Sequence, residues 1–293
     1  MARWLNRKSL RILMYHRFGD PVALAEQCAH IRAYYEPVSM AKVAAWLEGG
    51  DALPQNALAV TVDDGYRDFY RVAYPVFREF GIPATVYLVS DFVDRRLWLW
   101  VDQVRYCYRN GRAKLAELET EEGRNAAAFK LIESLKRVPN SERQRTLAKL
   151  PKQLEVTLPQ QAPQQYEPLR WDEVREMAAT GTGIEFGAHT RTHPVLSRVK
   201  KADDLAEEIA GSKRRIEQQL DRTVNHFCYP NGSNEDFTDA AVQAVRGAGF
   251  RTSVTTEKGL IHSGVDPLRL PRIGVQPELD SDYFERCAAG FRV

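Results

Sequence analysis

Short apolar and β-branched runs recur along the chain, and most are followed by stretches whose apolar positions repeat every three or four residues. Seven runs predict strands: "LRILMYHRF", "ALAVTVDDG", "PATVYLVS", "GIEFGAHT", "VNHFCYPNG", "FRTSVTT" and "LRLPRIGV". Helices are predicted over "FYRVAYPVFREFG", which ends at Gly81, and over "LRWDEVREMAATG", "ADDLAEEIAGSKRRIEQQL" and "TDAAVQAVRGAG". This alternation predicts an α/β chain with parallel strands. The span from about Asp94 to Gln165 breaks the rhythm. It is rich in Lys, Arg, Glu and Gln, carries helical stretches such as "AAAFKLIESLKRV", and contains no strand pattern. It reads as a helical insertion at about 94–165, on one loop of a single domain that takes in residues 1–293. Trp98 and Trp100, near its start, fit either a binding surface or core packing.

Composition removes several classes of function. With 41 basic and 39 acidic residues the net charge is +2, too small a field to draw the protein onto nucleic acid. No segment is long and apolar enough for a membrane span, and "MARWLNRKSLRILMYHRF" lacks the apolar core of a signal peptide, so the cytoplasm is the expected compartment. Cys28, Cys107, Cys228 and Cys287 are scattered without a CxxC pair, which predicts buried thiols rather than disulfides or a cysteine zinc site.

Reactive residue types collect where the strands end. "LMYH" ends in His16, "VTVDD" in Asp63 and Asp64, and "IEFGAH" in His189. In a barrel of parallel strands these ends open on one face, where active sites are built. In "AHTRTHP" a helical turn or tight loop could aim His189 and His193 at one metal ion, although two exposed loop histidines would give the same letters. An aspartate from another strand end would complete a site of two histidines and one carboxylate. The adjacent aspartates then have a purpose, because a cation on one relieves their repulsion and leaves the other ionised to accept a proton. Successive strand residues point to opposite faces, so the chain must bend at the doublet, and Gly65 permits that.

Taken together, "TVDDG", "HTRTH" and "FCYPNG" resemble the polysaccharide deacetylase family, the carbohydrate esterases built on the NodB homology domain. The resemblance covers about 10–100 and 165–280, and implies a distorted (β/α) barrel of seven parallel strands. It implies Asp63 as catalytic base, Asp64, His189 and His193 as metal ligands, and Zn2+ as the usual ion. In the third motif the family has an arginine where Cys228 stands and a tyrosine where Asn231 stands, so the usual partner of the base is missing. Arg272 in "LPRIGV" is the candidate substitute. Tyr229, Pro230 and Asn231 would line the groove, with a backbone N–H near Asn231 facing the developing oxyanion. The family's general acid is a histidine: His262 in "GLIH" resembles it weakly, and His16, at a strand end, is preferred. His30 and His226 receive no role.

The implied activity is metal-dependent removal of N-acetyl groups from the amino sugars of a polysaccharide, oligosaccharide or lipid-linked glycan, the last at the inner membrane face. Hydrolysis of another small amide, and carbohydrate binding without catalysis, are the alternatives.

Overall fold

The computed structural model describes residues 2–290. Eight strands form: β1 (Arg11–Tyr15), β2 (Glu36–Pro37), β3 (Ala57–Val62), β4 (Ala84–Leu88), β5 (Ile184–Ala188), β6 (His226–Cys228), β7 (Thr252–Lys258) and β8 (Leu270–Gly274). Every pairing between them is parallel. The order β1-β8-β7-β6-β5-β4-β3 closes on itself because β1 also pairs with β3, making a seven-stranded barrel. All seven predicted strands are its staves. β2 lies on β3 at Ala57 and Leu58, below the point where β4 joins at Val60.

Strands buried on both faces read as continuous apolar runs, and β3 and β4 are buried throughout. The closure is uneven. β6 has three residues and meets β5 at one residue pair, β1 meets β8 at two, and β7 slips its register against β8 between Val254 and Lys258. Such irregularity opens a barrel at its rim and re-aims side chains there.

Two predicted helices contain a turn of π-helix. Phe69–Ala73 precedes Tyr74–Glu79, where Pro75 has no N–H to give an earlier carbonyl, and Glu207–Gly211 lies between Ala202–Ala206 and Ser212–Leu220. Between β4 and β5 the helices Trp100–Asn110, Glu121–Lys136 and Asn140–Gln153 share a small apolar cluster of their own, including Val104, Ile132, Leu135 and Leu150. Trp98 and Trp100 are buried, as the core-packing reading expects. All four cysteines are buried free thiols. No described helix is long and apolar enough to cross a membrane.

Candidate active site

Backbone geometry separates the two aspartates. The Asp63 N–H continues the β3 ladder by donating to Tyr15 O at 2.9 Å, and the Gly65 N–H then donates back to Asp63 O at 3.0 Å. The bend expected at Gly65 begins one residue earlier: φ is +74° at Asp64 and +82° at Gly65. A left-handed φ costs a non-glycine residue roughly 1–2 kcal/mol, so the fold must hold Asp64 there. At position 65 a Cβ would come within 2.8 Å of Leu88 Cδ2, so any other residue would have to displace that methyl as well as adopt the left-handed backbone.

Asp63 points into the barrel. Arg272, fully buried on β8, donates from Nη1 to Oδ1 and from Nη2 to Oδ2, both at 2.7 Å. The guanidinium is itself fixed by Thr255 O at 2.7 Å and Thr61 Oγ1 at 3.1 Å, and its Nη2 lies 3.2 Å from Cys228 Sγ. Burial opposes ionisation of Asp63, but the charge and hydrogen bonds of Arg272 outweigh it and hold the carboxyl below the usual range. Cys228, standing in the expected arginine's position, is an uncharged filler: burial pushes its thiol up. His16, at the barrel mouth and half exposed, brings Nε2 to 3.7 Å from Asp63 Oδ2. His262 is elsewhere. Its Nδ1 lies 3.3 Å from Ser9 Oγ, and Ile261 pairs with Leu10, so it sits at the opposite end of the barrel and is not near the base.

Asp64 turns towards the histidines. His189 Nε2 and His193 Nε2 lie 3.5 and 3.4 Å from Asp64 Oδ1. Zinc bonds of roughly 2.0–2.1 Å in a tetrahedron put ligand atoms about 3.3 Å apart, close to both of these separations, and all three ligand atoms lie within 4.8 Å of one another. Because a carbonyl only accepts, the 2.7 Å contact with Cys228 O places a proton on His189 Nδ1. Despite its burial, Cys228 and Asp64 raise the ring's pKa, so Nε2 also carries a proton towards Asp64, which a cation would displace to be ligated there. Burial presses His193 down to about 3, against the pull of Asp64, so its ring is neutral and able to ligate at ordinary pH. Asp64 is held well below the carboxylate range, since the hydrogen bond from His189 and the charge on that ring overcome its burial.

Asp63, His189 and Cys228 form a second group close enough to ligate. Arg272 contacts two of those three, and its fixed positive charge would repel a cation there. The His–x–x–x–His segment is a loop rather than a helical turn, with φ of +67° at Thr190 and +56° at His193. Asp64, Thr190, His193 and Asn231 account for half of the eight left-handed non-glycine residues among those described, a clustering typical of functional sites.

The third motif departs from expectation. Tyr229 does not face a groove. Its ring stacks on Phe237 at 4.0 Å, its hydroxyl donates to Leu268 O at 3.1 Å, and its N–H is spent on Val254 O. Pro230 is buried and has no N–H. The Gly232 N–H returns to Pro230 O at 2.7 Å, so among the described residues Asn231 retains the one uncommitted N–H of the turn. Its side-chain Nδ2 is likewise buried without a partner. A groove of about 710 Å³ runs past Arg17 and Asp68, bounded by Tyr106 and Arg109 from the inserted helices. Above the doublet, Tyr66 donates to Asp102 Oδ2 at 2.5 Å and lies under the Arg17 guanidinium, a network no local pattern announces.

The family model for polysaccharide deacetylases matches residues 50–253, which include Asp63, Asp64, His189 and His193. The chain belongs to the polysaccharide deacetylase family. His16 and Arg272 fall outside the matched residues. Over 73 residues the chain is 41% identical to the poly-β-1,6-N-acetyl-D-glucosamine N-deacetylase of Escherichia coli K12, a match covering 25% of this chain and 11% of that relative. In fold it is similar to the Streptococcus pyogenes deacetylase PplD, with TM-score 0.65, 18% identity, and 97% and 99% of the two chains covered. It is equally similar to IcaB from Ammonifex degensii, with TM-score 0.64, 19% identity and 98% of both chains covered.

Proposed function

We propose that this chain is a metal-dependent N-deacetylase that hydrolyses acetamido groups on the amino sugars of a polysaccharide, oligosaccharide or lipid-linked glycan. The observation that carries the reading is the division of labour between neighbouring aspartates: one is bound bidentately by a buried arginine, the other faces two histidines at ligand spacing.

Asp64, His189 and His193 would hold the ion, and the set of two imidazole nitrogens and one carboxylate suits Zn2+. Bound there, a divalent cation supplies Lewis-acid activation of water and of the acetamide carbonyl, which lets a carboxylate as weak as Asp63 serve as base. Asp63 Oδ2 takes a proton from the attacking water while Arg272 keeps both of its oxygens in place. The Asn231 N–H is the turn's free donor for the carbonyl oxygen as it gains charge. His16, beside Asp63 and half exposed, hands a proton to the departing amine. One water is consumed, the C–N bond breaks, and acetate and a free amino sugar leave.

Oligomers of β-1,6-linked N-acetylglucosamine are the first substrate to try, given the relative that acts on that polymer. Acetate release should vanish on chelation and return with Zn2+. Metal-loaded protein that releases formate or another acyl group but never acetate would make the acetyl assignment wrong, and protein that binds sugar without turnover would favour a binding module.

A further inference from the structure

The loop joining the two histidines has no regular structure, so its backbone polar groups need partners from elsewhere. Glu208 supplies two of them: its carboxylate accepts from the N–H groups of Arg191 and Thr192 at 3.0 and 2.9 Å, and also from the Thr192 hydroxyl at 2.6 Å. The N–H groups of Ser90 and Asp91, just after β4, donate to the carbonyls of Thr190 and Arg191 at 3.2 and 3.0 Å. The His193 carbonyl is held from a different quarter. It accepts from the indole Nε1 of Trp100 at 3.2 Å, 93 positions away in sequence and inside the 94–165 span. Trp100 is buried, and the equally buried Arg143 of helix Asn140–Gln153 sets its guanidinium 4.9 Å from the indole ring.

His193 is left-handed and is followed by Pro194, so the carbonyl is the one polar group of that peptide unit. Without the indole it would be buried and unpaired, and the peptide would turn to relieve the loss, carrying the imidazole away from Asp64. A cation against the indole ring also polarises its N–H and strengthens the donation. We propose that Trp100, backed by Arg143, is a positioning residue that aims His193 at the metal site, which makes the inserted helices part of the metal centre. This rests on Asp64, His189 and His193 being the ligands.

The test uses the full chain with Trp100→Phe, which keeps an aromatic ring and removes the donor. Zn2+ affinity is measured by competition with a chromophoric chelator, and ligand geometry by the visible spectrum of the Co2+-loaded protein. Loss of an outer partner of a metal ligand typically weakens binding about 10- to 100-fold. That loss, with an altered cobalt spectrum, is the expected result. Phe129→Ala, at an exposed position of the inserted helices outside the cluster that seats Trp100, should leave both readouts unchanged. Should Trp100→Phe fail to fold, benzothienylalanine at position 100, shaped like tryptophan but without the N–H, decides by the same readouts. Wild type that binds no Zn2+ would remove the ligand reading itself. Wild type that binds one equivalent, with the donor-less variant within twofold of it and the same cobalt spectrum, would overturn the role of Trp100 alone.

Discussion

Replacing Arg272 by methionine removes the partner of a fully buried carboxylate while keeping comparable bulk. Wild-type Asp63 makes two 2.7 Å charge-assisted bonds to the guanidinium, which is anchored in turn by Thr255 O and Thr61 Oγ1. Breaking one side of a buried pair strands a charge and typically costs about 3–5 kcal/mol. In the wild type Asp63 titrates below its ordinary value of 3.8, so the pair's stabilisation is complete above that pH and is lost as pH falls through the lower folded value. In Arg272→Met burial acts almost alone and raises the Asp63 pKa, reversing the sign. Denaturant unfolding at several pH values should show the variant losing about 3 kcal/mol or more at pH 7 and less at pH 4. The acid limb of kcat/KM should move to higher pH. Asp63→Asn in the same chain removes the stranded charge, so the double variant should be more stable than Arg272→Met alone. A variant within 1 kcal/mol of wild type at pH 7, with its acid limb in place, would refute the reasoning, because the measured cost would fall below about 3 kcal/mol.

His16→Gln should lower kcat by roughly 10²-fold or more with metal stoichiometry intact, whereas His262→Gln at the far end of the barrel should leave kcat unchanged; equal losses would contradict the assignment of the proton donor. Asp102 is pushed up to about 6 from 3.8 by burial, against the Tyr66 hydrogen bond, which costs about 3 kcal/mol once it ionises. That penalty is absent below pH 3.8 and complete above about 6, so Asp102→Asn should flatten the fall in Tm between pH 4 and 7, and an unchanged slope would show that Asp102 is not its source.

Local chemistry made much of this arrangement readable. The seven apolar runs are the barrel staves, and parallel strands gather their ends, which is why Asp63, Asp64 and the histidine pair could be placed at one mouth. Arg272 could be proposed because a buried base without its usual arginine needs another, and the structure supplies it from β8. Tyr229 faces the core and not a groove: its ring stacks on Phe237 and its hydroxyl is taken by Leu268 O, contacts to residues beyond the motif that the motif itself does not announce. His262 follows a short apolar run that resembles a strand end, yet Ile261 pairs with Leu10 at the base of the barrel. β2 is two residues long and has no periodicity to detect. Trp100 and Glu208 act on backbone atoms 93 and 16–17 positions away, and contacts to backbone leave no signature in the partner's side chain.

The most direct measurement compares Zn2+ content and acetate release in wild type, Asp63→Asn and His193→Ala, on the same N-acetylglucosamine oligomers. The division of labour between the aspartates predicts that Asp63→Asn keeps one equivalent of Zn2+ but loses turnover by about 10²- to 10⁴-fold, while His193→Ala loses both. Asp63→Asn turning over at the wild-type rate, or His193→Ala retaining its metal, would contradict it.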